Sequence, residues 1–353
     1  MDMLKETLQK ITVLDEEAMR AARARQDRLT KPRGALGVLE DISVRVAGIT
    51  GNSLPRPGRK SVIVMAADHG VVAEGVSLYP PEVTAQMVLN FLGGGAAINV
   101  LSRHVGAEVR VVDVGVATPL QDPGLISRKV RPGTANMAAG PAMSRGEAVA
   151  ALEAGIEVAG EEISRGADFL ATGDMGIGNT TAASAITACV TGLDPCEVTG
   201  RGTGIDDQGL ERKVETIRKA LEVNRPDPAD PLDVLSKVGG LEIGGIAGVM
   251  LAAAAARRPV VSDGFMSAAG ALIAAGLHPR AVDFMIASHL SVERGHAAIL
   301  ERMGLHPIIH ANMRLGEGTG AVLAFFLVDA ALRIISEMAT FEEAGVSGPE
   351  EEG

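Results

Sequence analysis

The chain has no tryptophan, one tyrosine (Tyr79) and only seven phenylalanines among its 353 residues. With so few aromatics and 43 glycines, the sequence suggests close packing of helices on a sheet and argues against a β-sandwich. Two cysteines, Cys189 and Cys196, cannot make a disulfide framework, and a reducing compartment fits them. Basic residues are in deficit, 33 against 44 acidic, for a net charge of −11. A duplex-binding surface needs a basic face, so no nucleic-acid partner is expected. The N-terminus is charged and has no apolar signal core. The longest unbroken apolar run, near 249–256, is far short of the ~20 residues a membrane span requires. These absences predict a soluble, cytoplasmic protein with no membrane partner. The sequence also lacks an internal repeat and a low-complexity segment.

What the chain does contain is organised around Asn312-Met313-Arg314-Leu315-Gly316-Glu317-Gly318-Thr319-Gly320. A carboxylate stands between two glycines, which free the backbone to bend and let a ligand come close. An apolar run, Pro307-Ile308-Ile309, precedes it, and a long helical pattern over 321–338 follows. Glu317 has two readings. It is either an acid favoured by the dipole at a helix start, or a general base at the edge of a sheet. The residues alone leave both open.

The first 50 residues carry charged and apolar residues at helical spacing, with Leu4, Leu8, Ile11 and Leu14 as one stripe and Ala18 and Ala22 extending it. A break at 30–37 precedes a second helix over 39–49, and 51–58 is a connector of turn formers. A strand–helix rhythm then begins. Apolar runs predict strands over 61–66, 108–114, 169–172, 259–261 and 284–287, with a sixth at 307–309. Helical patterns lie at 84–102, 145–165, 180–190, 208–224 and 231–256. This alternation predicts an α/β fold, a doubly wound parallel sheet of five to six strands covered on both faces. Polar and glycine-rich residues recur just after the strands, where such sheets bind ligands. Asp68, Asp174, Asp263, His289 and Glu317 should therefore collect along one edge.

Residues 173–180 read G-x-x-x-x-G-N-T, close to a nucleotide-binding P-loop but with Asn179 where lysine is required. The dinucleotide fingerprint also lacks its third glycine. What remains is a glycine-rich turn whose N–H groups and following helix can hold one phosphate, or a tight turn that holds nothing. Gly200-Arg201-Gly202-Thr203-Gly204 with Lys213 is a second anion candidate, against the reading of a flexible loop before an exposed helix. The histidines do not fit a zinc site: no H-E-x-x-H or C-x-x-C occurs, and Pro307 disfavours a helix between His306 and His310. Met87, Met175 and Tyr79 are soft or flat side chains suited to a planar apolar ligand, or to ordinary core packing.

Taken together and in order, these segments resemble the nicotinate-nucleotide:dimethylbenzimidazole phosphoribosyltransferase family, which activates the lower ligand of cobalamin. The resemblance runs through nearly the whole chain. It rests on Lys31-Pro32-x-Gly34-x-Leu36-Gly37, Ala67-Asp68-His69-Gly70-Val71, Gly75-Val76-Ser77 to Pro80, Val83-Thr84 and Gly93-Gly94-Gly95-Ala96-Ala97-Ile98-Asn99. Further on it rests on Gly176-Ile177-Gly178-Asn179-Thr180-Thr181, Gly200 to Gly204, Ser288-His289 and Arg314 to Gly320. Each motif is weak alone, but their order and number are specific.

The resemblance implies phosphoribosyl transfer from nicotinate mononucleotide to dimethylbenzimidazole or a related flat base, with inversion at the anomeric carbon. It implies no metal and no separate cofactor, a Rossmann-like large domain over 59–320, and a small helical domain made from 1–58 and 321–353. Two subunits are expected to form a homodimer. Carried over residue by residue, the catalytic base is Glu317. The phosphate falls to Gly176, Ile177, Gly178, Asn179, Thr180 and Lys213. Tyr79, Gln86, Met87 and Met175 would line the slot for the base, and Gly202, Thr203, Asp263, Ser291 and Leu315 would be further substrate contacts. Asp174 is a departure, since the family commonly has glutamate there. The alternative is a non-catalytic nucleotide-binding module of the same fold.

Overall fold

A computed structural model describes residues 2–347. Residues 348–353, which the sequence reading assigns to the small domain, lie outside the described residues, as does Met1. Six strands form one parallel sheet: β1 (Lys60–Ala67), β2 (Ala107–Gly115), β3 (Leu125–Ser127), β4 (Phe169–Met175), β5 (Val260–Ser262) and β6 (Met285–Ala287). Their order is β3-β2-β1-β4-β5-β6, the doubly wound parallel arrangement that the alternation of strands and helices predicts.

β1 explains why Val62–Ala67 is an unbroken apolar run. All eight residues are buried, because both faces of a parallel sheet are covered. Successive side chains point to opposite faces. Ile63, Met65 and Ala67 thus join one core, and Val62, Val64 and Ala66 join another. β1 pairs β2 on one side and β4 on the other. The strand order reverses there, and a crevice opens outside the strand ends at such a point.

The small residues make close packing possible. Helix Leu241–Ala255 lies against helix Arg145–Ser164. A Cβ on Gly155 would overlap the carbonyl of Gly245, and one on Gly248 would overlap the carbonyl of Leu152. Helix Thr319–Glu337 joins two layers. Ala321, Phe325 and Val328 pack with Val62, Val64 and Ala171 of the sheet, while Ile335 packs with Ala22, Val44 and Ala47 near the N-terminus. Elements from both ends of the chain thereby meet. This helix is long and apolar enough to span a membrane by length and composition alone, but Ala321, Val322, Ala324, Phe325, Val328, Ala331 and Leu332 on it are buried in the core.

Several boundaries differ from the sequence reading, each for a local reason. The stripe Leu4–Leu14 is not one helix. Helix Asp2–Gln9 stops, and a new helix, Glu16–Gln26, starts where Asp15 accepts the Ala18 N–H. The pattern over 84–102 is two helices, Glu82–Leu92 and Ala97–Val105, parted by Gly93-Gly94-Gly95. Gly239 and Gly240 likewise divide 231–256 into Pro231–Val238 and Leu241–Ala255. The expected sixth strand at 307–309 makes only one bridge, Ile309 to His289. The sixth strand of the sheet is Leu125–Ser127 instead, at the edge beside β2. Three residues ending in a serine carry too little pattern to be read from sequence.

Candidate active site

Glu317 sits in a left-handed backbone conformation, φ 63°, between Gly316 at 82° and Gly318 at 93°. A non-glycine residue held there is strained by roughly 1–2 kcal/mol, so the surroundings must impose it. Two groups do so. Gly173 of β4 lies directly beneath, where a Cβ would overlap the Glu317 carbonyl. Asp263, at the end of β5, accepts the Gly318 N–H at 3.1 Å on one carboxylate oxygen and the Ala321 N–H at 3.0 Å on the other. The Glu317 side chain turns away from its own helix. Its Oε2 accepts the N–H of Ile98 at 3.3 Å, in the first turn of helix Ala97–Val105. Burial raises the Glu317 pKa above the ordinary glutamate value, the Ile98 N–H pulls it down, and the charge of Asp263 pushes it up. The net direction is upward.

β4 ends in Asp174-Met175 and leads through Gly176–Gly178 into helix Asn179–Thr191. Asn179, which stands where a P-loop has lysine, donates its amide N–H to Asp174 Oδ2 at 2.9 Å. The Asp174 carboxyl is driven well up, first by burial and then by the charges of Asp263 and Glu242, against the Asn179 bond and with a further push from Glu317. Its protonated form is thereby favoured. Within the turn, Ile177 donates its N–H to Thr84 Oγ1 and Asn179 donates to the Gly176 carbonyl. The Thr181 N–H goes to the Gly178 carbonyl. Among the described residues the N–H groups of Gly178 and Thr180 have no such partner, which suits an anion at the helix start.

Lys213 lies behind Thr180. It is almost fully buried and donates from Nζ to Thr180 Oγ1 at 2.7 Å. Burial lowers its pKa to about 8, and nearby Glu293 works in the opposite direction. The Gly200–Gly204 loop closes this end. Glu293 Oε1 accepts the Gly202 N–H at 3.0 Å, and Arg314 donates to the Gly202 carbonyl at 2.9 Å. Thr203 Oγ1 accepts the Leu78 N–H at 3.2 Å and joins this loop to the one carrying Tyr79.

The segment after β6 supplies His289 and Ser291. His289 Nδ1 lies 3.1 Å from Ser288 Oγ and 3.8 Å from Asp263 Oδ1. His296 crosses it edge-on with ring centres 6.1 Å apart. Burial, and then the His289 charge, lower the His296 pKa to about 3. The neutral ring can thus accept the Ser291 N–H on Nδ1, at 3.0 Å.

These segments surround a cavity of about 670 Å³. It brings together most of the residues that the sequence pointed to. Asp174 to Thr180, Gly202, Thr203 and Ser291 line it, together with Tyr79, Met87, Leu315 and Glu317. Three candidates stand elsewhere. Lys213 is behind Thr180, Asp263 is behind the Glu317 loop, and Gln86 is an exposed neighbour of Met87 on helix Glu82–Leu92. Asp68 does not join the cavity either, a correction to the edge expected from the strand pattern. Its carboxylate faces the loop after β2 and accepts the Ala117 N–H at 2.7 Å. His289, Glu293, Arg314, Phe265 and Met266 also line the wall. Of these, His289 was expected at this edge, and Glu293, Arg314, Phe265 and Met266 were not singled out as site residues. Arg314, two residues before Gly316, was the most legible in sequence, as a cation beside a glycine-rich bend.

A phosphoribosyltransferase family model matches residues 11–346. A nicotinate-nucleotide–dimethylbenzimidazole phosphoribosyltransferase of Desulforudis audaxviator is 63% identical over 98% of this chain and 99% of its own length. One from Chloroflexus aggregans is 61% identical over 99% of this chain and all of its own length. The crystal structure of CobT from Thermus thermophilus superposes with a TM-score of 0.91 at 54% identity, covering 94% of this chain and all of that one. With this fold, this cavity and full-length similarity, the chain belongs to the nicotinate-nucleotide–dimethylbenzimidazole phosphoribosyltransferase family.

Proposed function

We propose that this enzyme transfers the phosphoribosyl group of nicotinate mononucleotide to dimethylbenzimidazole or a similar flat base, with Glu317 as general base. Nicotinate leaves, and the product is α-ribazole phosphate for the cobalamin nucleotide loop. The observation that carries this reading is the state of Glu317. It is 6% exposed, lines the cavity, and its side chain has one hydrogen bond, from Ile98.

A ring nitrogen of the base attacks the anomeric carbon from the face opposite nicotinate. The bond to the pyridine nitrogen breaks, and its electron pair leaves with nicotinate. The attacking ring would then carry a positive charge. Loss of the proton from its other nitrogen to Glu317 relieves that charge as the bond forms. A pKa raised by burial makes Glu317 a better acceptor than a solvated glutamate would be. Met87, Met175 and Tyr79 line the same cavity as Glu317 and offer the flat ring an adaptable apolar slot. For the phosphate, the turn over Gly176–Thr180 supplies N–H groups, and Lys213 supplies charge through Thr180. Ser291 and Leu315 also line the cavity as further contacts. Asp263 acts through the Glu317 loop and not on substrate.

Two copies of the chain are proposed to pair. Val100 and Phe326 expose apolar side chains on two helices that pack together, and light scattering would detect the dimer. The reaction itself is tested by incubating the enzyme with nicotinate mononucleotide and dimethylbenzimidazole and measuring free nicotinate and the ribazole phosphate. Formation of both by the wild type, and their near-absence with Glu317→Gln, is the expected result. Wild-type turnover by a folded Glu317→Gln protein would overturn the assignment of the base.

A further inference from the structure

Glu293 is 6% exposed, lines the cavity, and precedes helix Arg294–Met303 without capping it. One of its oxygens accepts the Gly202 N–H at 3.0 Å. The other, Oε2, is buried with no hydrogen-bond partner among the described residues. Gly200 is pressed against this second oxygen so closely that a Cβ would overlap it. Lys213 is also close to Gly202, and its ammonium reaches Thr180 Oγ1 at 2.7 Å. Glu293 is the charge that offsets part of the burial of that ammonium. A carboxylate thus holds a loop N–H and balances a buried lysine where a substrate phosphate would look for the same two partners. Two anions cannot share them without repulsion.

We infer that Glu293 is an internal competitor of the substrate phosphate: its carboxylate takes the Gly202 N–H and balances Lys213, and a bound phosphate displaces it from both. The consequence is selectivity. Only an anion strong enough to replace a carboxylate already in place will bind, so a phosphate monoester is taken and weaker anions are refused. This inference rests on the phosphate lying at the Thr180–Lys213 end, as proposed above.

Glu293→Gln keeps the shape of the side chain and an oxygen for the Gly202 N–H, but removes the charge. Inorganic phosphate is the probe, with its Kd measured by calorimetry. The variant should bind it more tightly, by about tenfold. The KM for nicotinate mononucleotide should fall with it and the KM for the base should stay. Unchanged or weaker phosphate binding overturns the inference. A rise in nucleotide KM with unchanged phosphate binding also overturns it, and would mean that Glu293 holds ribose hydroxyls instead. Lys213→Ala separates this from the underlying reading. If that variant binds inorganic phosphate as the wild type does, the phosphate placement fails. If it binds more weakly while Glu293→Gln gains nothing, only the competitor role fails. The unaltered protein gives an independent measurement: in a crystal structure with nicotinate mononucleotide, Glu293 should have left the Gly202 N–H, and a retained bond sinks the idea whatever the variant does.

Discussion

Oε2 of Glu317 accepts the backbone N–H of Ile98 at 3.3 Å, across 219 residues of sequence. The bond joins the proposed base to the first turn of helix Ala97–Val105. Glu317 is therefore an acid at a helix start, but at the start of a different helix from the one it precedes. The N–H at that helix start steadies the charged form of a buried carboxylate, the form that the proposed role as general base requires.

Glu317→Gln should lower kcat by about 10²- to 10⁴-fold, the usual worth of a positioned base, and leave the nucleotide KM nearly unchanged. A loss confined to kcat marks an interaction made only in the transition state. Steady-state kinetics on the purified variant decide the matter.

The same substitution has a stability consequence of opposite sign. The folded-state pKa of Glu317 is raised, so folding favours its protonated form. That contribution is present below the unfolded pKa, about 4.3, and is lost as pH rises through the folded value. At neutral pH the wild type therefore bears the cost of a buried charge that glutamine avoids. Glu317→Gln should melt higher than wild type at pH 7, with the difference shrinking toward about pH 4. A lower Tm at pH 7 would mean that the Ile98 bond outweighs burial.

Lys213 should make nucleotide binding fall off in mild alkali. Its pKa is about 8, so the charge that meets the phosphate is lost as pH passes that value. KM for nicotinate mononucleotide should rise above pH 8, while KM for the base stays flat. Lys213→Ala should show a raised nucleotide KM at every pH and no such inflection. A flat wild-type profile from pH 7 to 9.5 would contradict this.

Replacing Asp174 by asparagine should cost little, unlike the same change at an ionised carboxylate that binds substrate. The Asp174 pKa is driven well up by burial and by three neighbouring carboxylates, which favours the protonated form of the side chain. Asp174→Asn resembles that neutral form and should keep kcat within about threefold of wild type. A loss of more than about tenfold would mean that the ionised form is required.

Gly155→Val tests the close packing of the two long helices. A side chain there must displace the Gly245 carbonyl, and overpacking of this kind costs roughly 1–3 kcal/mol. The Tm should fall, while both KM values measured well below that temperature remain normal.

The sequence by itself determined the architecture and the neighbourhood of the site. Short apolar runs such as Val62–Ala67, alternating with helical patterns, point to strands covered on both faces, and the glycine-rich segments after them fall where such sheets bind ligands. Glu317 was conspicuous because two glycines flank it. What sequence could not decide is which carboxylate faces the ligand. Asp68, Asp174 and Asp263 each follow or end a strand, yet only Asp174 lines the cavity. Asp68 holds Ala117, and Asp263 holds Gly318 and Ala321. Their partners lie 49, 55 and 58 residues away, so no local pattern reports them. The same holds for Glu293 and Gly202, which are 91 residues apart. Periodicity encodes which face of a strand is buried, because that is a property of neighbouring residues. The direction in which a buried carboxylate is satisfied is a property of the assembled loops, and only the tertiary structure supplies the N–H groups that settle it.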